Sequence, residues 1–193
     1  MVDKGVPSTS VCAIFELDMS FKKTILEKIA SYIPGYGGYK EKEVRRETDA
    51  LLRRHISSIL STAAAQLVLS PTEARSVAAN PEARYLWDYV KAIFDKVIQK
   101  IDKAPHGYAG FFNIVKVNEE VLDRIYSHDL ALVEHARRVA DYVNDVKKAR
   151  ATSPEWFDAL NRVKAALEEL DRQIDERTKI LKGIQEPPEW GRR

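Results

Sequence analysis

The chain has 193 residues, 31% charged and 45% apolar, and 31 Lys and Arg against 29 Asp and Glu leave a net charge of +2. That is enough apolar material for one sizeable core, and too small a net charge to draw in nucleic acid or an anionic membrane through a global field. No stretch approaches the ~20 apolar residues of a membrane span, and Val11 to Leu17, broken by Glu16, is too short and acidic for a secretory core, so a cytoplasmic protein is expected. The lone Cys12 excludes an internal disulfide and reads as a small buried residue. A charge-rich composition poor in Asn, Gln and Cys is also what thermophile proteins tend to show.

Residues 1–18 read as an N-terminal extension, with the turn-prone Pro7 to Ser10 before a short apolar run, and Met19 as a candidate internal start. A helical domain is expected over 19–184 and a tail over 185–193. Phe21, Ile25, Leu26, Ile29 and Ile33 share one helical face that stops before Pro34, because proline disfavours the helical region for its predecessor. Gly35, Tyr36, Gly37, Gly38, Tyr39 and Lys40 then form a loop in which glycine permits positive φ and close backbone approach.

A second helix is expected from about Lys40 to Leu69, with Val44, Thr48, Leu51, His55, Ile59 and Ala63 on its apolar face. Glu41 to Arg45, Arg45 to Asp49 and Asp49 to Arg53 are i,i+4 pairs, each worth about 0.3–0.5 kcal/mol on an exposed helix. The charge run therefore reads as a solvated face; the competing reading makes Arg45, Arg46, Arg53 and Arg54 a stripe for a partner. Ser70-Pro71 and Asn80-Pro81 are cap-then-proline signals, implying a short helix, a corner and a long helix over 81–102 with Leu86, Tyr89, Val90, Ile93, Phe94, Val97 and Ile101 inward.

Ala104 to Val117 breaks the helical period with Pro105, Gly107 and Gly110 yet is too apolar to float free. Asn118 caps a helix expected over 118–149, with a break near Ser127-His128-Asp129 left open, and Ser153-Pro154 starts the last, over 153–183. In that helix Trp156, Leu160, Val163, Leu167, Leu170 and Ile174 recur in steps of 4, 3, 4, 3, 4, the 3.5 period of coiled-coil packing. The seam serves either antiparallel packing within the chain's own bundle or self-association. The fold expected is all-α: a bundle of five or six helices, several long, with a coiled-coil-like C-terminal helix.

The run Ile33 to Asp49, with Gly107-Tyr108-Ala109-Gly110-Phe111-Phe112 leading to Val115-Lys116-Val117 and the step Leu122 to Tyr126, resembles a family of uncharacterised all-helical prokaryotic proteins. The likeness spans about residues 20–145 and implies the helical fold. It brings no activity, cofactor or catalytic residue with it.

For chemistry, a di-iron bundle needs inward Glu-x-x-His pairs, whereas Glu134 and His135 are adjacent and His55, His106 and His128 have no glutamate three residues before them. His55, on the apolar face, reads as a hydrogen-bonded core histidine. The Gly35 to Lys40 loop lacks phosphate-loop spacing, since a helix precedes it and Glu41 follows the lysine. No nucleophile elbow occurs, and no cofactor or metal is expected. A non-catalytic helical scaffold or protein-interaction protein is therefore the leading expectation. The alternative is a module for anions, nucleotides or single-stranded nucleic acid using the Gly/Tyr loop with Arg45 and Arg46. A ligand pocket is expected only if loops 34–39 and 107–112 meet, with Tyr36, Tyr39, Lys40, His106 and Tyr108 around Phe111 and Phe112.

Overall fold

A computed structural model of the chain describes residues 24–104 and 118–183. The described residues are helical, with no strand: α1 covers 24–32, and after the loop and a 3-10 turn, Lys42–Val44, come α2 (Arg45–Gln66), α3 (Pro71–Ala79), α4 (Pro81–Lys103), α5 (Glu119–Lys148) and α6 (Pro154–Gly183). The all-α bundle is thus the observed architecture. Around its axis α2 neighbours α4 and α5, and α6 neighbours the same two, while α3 packs on α4. α1 is held to α5 by the Lys28–Glu134 ion pair and by the Arg137 guanidinium 4.6 Å from the Tyr32 ring centroid.

The helix starts follow from their caps. The Ser70 hydroxyl accepts from the Glu73 amide while the Glu73 carboxylate accepts from the Ser70 amide, a complete capping box. Asn80 Oδ1 accepts from the amides of Glu82 and Ala83, and Asn118 Oδ1 from that of Glu120. Between α5 and α6 the chain turns within residues 149–153, with Thr152 in the left-handed region at φ 69°.

α5 is the single helix expected over 118–149, unbroken through Ser127-His128-Asp129, because Asp129 faces the bundle axis and continues the inward stripe. One expectation needs correction. The core-facing stripe of α2 is Arg45, Thr48, Asp49, Leu52, Ile56, Leu60 and Ala63, with Val44, Leu51, His55 and Ile59 on its half-buried flank. The charge run is therefore no solvated ladder throughout, although the expected Asp49–Arg53 pair forms at 2.8 Å.

The α6 seam is enclosed by the chain's own helices. Trp156, Leu160, Val163, Leu167, Leu170 and Ile174 are all buried, Trp156 stacking on Trp87 of α4 with ring centroids 6.0 Å apart. Those side chains are enclosed where α6 packs on α4 and α5 of the same chain.

Candidate functional site

Three buried charges meet where the stripes of α2, α5 and α6 converge: Asp49, Asp129 and Arg177. Each occupies a register position of an otherwise apolar seam. Arg177 follows Ile174 by three and precedes Leu181 by four, and Asp129 falls between Ile125 and Leu132 in the same rhythm. Helical geometry alone therefore aims all three at the bundle axis.

Arg177 joins the two carboxylates. Its Nε donates to Asp129 Oδ1 at 2.6 Å and its Nη1 to Asp49 Oδ1 at 3.0 Å, while Arg53 Nε donates to Asp49 Oδ2 at 2.8 Å. The loop completes the arrangement from above. Tyr36 and Tyr39 both donate their hydroxyls to Asp129 Oδ2 at 2.7 Å, and Arg177 Nη2 donates to the Tyr39 hydroxyl at 2.8 Å. Asp129 and Asp49 thus each accept at both carboxyl oxygens. Burial pushes the hydroxyls of Tyr36 and Tyr39 well above their ordinary pKa of 10.0, and the neighbouring Asp129 adds to the shift. Both phenols stay protonated and act as donors, not bases.

The loop backbone is held as closely as its rings. The Tyr39 amide donates to the Tyr126 hydroxyl at 2.9 Å, the Thr48 hydroxyl donates to the Gly38 carbonyl at 2.9 Å, and Arg45 Nε donates to the Tyr39 carbonyl at 2.7 Å. The Tyr39 and Tyr126 rings stack with centroids 5.9 Å apart. Gly38 has φ +76°, and a Cβ there would lie 2.9 Å from the Tyr126 hydroxyl, so close approach and a left-handed backbone both demand glycine. The segments 33–49 and 122–126 are thus packed on one another.

This geometry separates the sequence-derived site residues. Tyr36, Tyr39 and Arg45 are buried, so their rings and guanidinium are turned away from any external strand, correcting the stacking surface expected of them. Lys40 and Arg46 are exposed, and Gly35, Gly37 and Gly38 serve the fold of the loop. His106, Tyr108, Phe111 and Phe112, and with them the expected pocket between the two loops, lie outside the described residues. Asp129, Tyr126 and Arg177 were not singled out as site residues. Their signal was the uninterrupted 3.5-residue rhythm running through a charged position.

His55 is half-buried, and its buried Nε2 has no hydrogen-bond partner among the described residues, where a bonded core histidine was the expectation. Burial, and then the Arg137 charge, pull its pKa below the ordinary 6.5. Beside the cluster there is a cavity of only about 20 Å³, bounded by Leu52, Ile101, Leu132 and Arg177 among others, room for one water at most. A larger cleft of about 260 Å³ opens at the α3 end, with Trp87 and Trp156 in its wall and Lys147 and Glu73 on its rim. Among the described residues no group of three or more His, Cys, Asp or Glu is arranged to hold a metal ion, and no helix is long and apolar enough to cross a membrane. Compared with known proteins, the chain matches no family model, no curated protein and no solved structure.

Proposed function

We propose that this chain is a non-catalytic helical interaction protein whose buried Asp–Arg–Tyr cluster clamps the Gly/Tyr loop onto the bundle while α4 presents the contact face. The observation that carries this reading is Tyr85, a large side chain left 70% exposed in the second turn of a well-packed helix. Its ring stacks on Tyr89 with centroids 5.9 Å apart, and Tyr89 is braced by its hydroxyl to Glu168 and by Lys164 over its ring. A rigid aromatic with one free face is the kind of anchor that carries binding energy at protein contacts, because little side-chain entropy remains to be lost. The cluster favours a structural part for itself, since the carboxylates of Asp49 and Asp129 and the guanidinium nitrogens of Arg177 are all engaged within the fold. The alternative of nucleotide or single-strand binding through the loop draws less support, because Tyr36, Tyr39 and Arg45 face inward.

The test is site-specific photocrosslinking in cells that make the protein, with benzoylphenylalanine at position 85 and, as control, at the exposed Arg172 on α6. A protein adduct from position 85 and none from 172 is the expected result. No protein adduct from position 85 overturns the reading.

A further inference from the structure

The exposed face of α4 has a charge order that is its own complement. Along it stand Arg84, Asp88, Lys91 and Asp95, alternating in sign, with the Tyr85 ring and the small Ala92 beside them. Reversed end for end, the series becomes minus, plus, minus, plus. When two copies of α4 lie antiparallel across a two-fold axis between residues 89 and 90, Arg84 meets the second copy's Asp95 and Asp88 meets its Lys91. The two-fold repeats both pairs, giving four opposite-charge contacts and no like-charge one. A parallel pairing in register sets like against like.

We infer that the partner of this face is a second copy of the same chain, docked α4 against antiparallel α4. The inference rests on the reading of α4 as a contact surface and names what covers it. Shape agrees with charge. Beside the charged row a shallow groove of about 540 Å³ runs along Tyr85 between Ala78, Pro81 and Tyr89, and the small, exposed Ala92 in its wall leaves room for the side chains of a second helix. These charges are loosely held: the Arg84–Asp88 pair is long at 3.8 Å with both side chains about two-thirds exposed, and Lys91 lies at 5.9 Å from the Trp87 ring centroid, so they can change partners at little cost. The opposite edge of the same face is already locked inside the chain, with Lys96 and Lys100 bonded to Asp171 of α6. The 84–95 row, by contrast, turns its charges to the outside.

A contact made by one helix face sits at the small end of interface sizes, so sedimentation equilibrium of the full chain should run from about 1 μM to about 1 mM. Three proteins are compared: wild type, an acidic variant carrying Arg84→Glu and Lys91→Glu, and a basic variant carrying Asp88→Lys and Asp95→Lys. All four positions are exposed, so circular dichroism should show each variant folded. Wild type is expected to form a dimer that weakens as salt is raised. Each variant alone should dimerise roughly tenfold more weakly or worse, since each removes four attractions and installs repulsions in their place. An equimolar mixture of the two should restore the wild-type affinity, because every contact is then again between opposite charges. A wild-type chain that remains monomeric to the top of the range, or a dimer that survives in both variants, overturns the inference. A monomeric wild type with a foreign protein crosslinked at position 85 overturns the inference alone and leaves the interaction reading standing; the absence of any adduct overturns both.

Discussion

Removing the Arg177 guanidinium leaves Asp49 and Asp129 buried and facing each other's charge across the bundle axis. Arg177→Met is therefore expected to lower stability by about 3–5 kcal/mol in urea unfolding, the range for a buried pair stripped of one partner. Tyr36→Phe removes one donor of several to Asp129, and should cost about 1–2 kcal/mol. The order matters more than the values: a Tyr36→Phe loss equal to that of Arg177→Met would mean that the charge pairing does not dominate the cluster. His55 works in the other direction. Its folded pKa lies below 6.5, so below that pH the unfolded chain binds more protons and stability falls with acidification until the folded pKa is passed. Replacing it by Leu should flatten the stability profile just below pH 6.5, measured by urea midpoints across the range; an unchanged slope would assign the acid sensitivity to other groups.

At the level of single helices the seams and caps decide the outcome. Leu167 is fully buried between α6 and its neighbours, so Leu167→Ala should cost about 2–5 kcal/mol as a cavity mutation, with no change in oligomeric state at equal folded fraction. Asn80 caps α4 with two amide bonds, and Asn80→Ala should cost about 1 kcal/mol by thermal unfolding. The helix boundaries were largely legible in the sequence, because Ser70, Asn80, Asn118 and Ser153 are local signals read within a few residues of themselves. The face of α2 was not. Arg45 and Asp49 were assigned to solvent on the strength of their i,i+4 partners, a local argument that their burial overrides. Only the long-range fact that Arg177 and Asp129 arrive at the same level of the bundle makes an inward Asp49 tolerable, and no window of sequence contains all three. The α6 seam was read correctly as a seam, yet its period says nothing about whose side chains fill the opposite holes.

For the whole molecule, the Gly/Tyr loop turns two of its rings, Tyr36 and Tyr39, into the bundle. Its glycines bend the backbone at Gly35 and Gly38, with φ of 85° and 76°, so that Tyr36 and Tyr39 can reach a carboxylate 93 and 90 positions away in the chain. The clamp thus ties the connection after α1 to α5 and α6 and sets the level at which the helices meet. What remains outside is the α4 face with Tyr85. One measurement separates inside from outside directly: nitration of the native protein with tetranitromethane, followed by peptide mapping of the tyrosines. Nitration requires access and phenolate character, and burial denies both to Tyr36 and Tyr39. Tyr85 is expected to react readily, while Tyr36 and Tyr39 react only once urea unfolds the chain. Modification of Tyr36 or Tyr39 in the folded protein at the rate of Tyr85 would contradict the clamp.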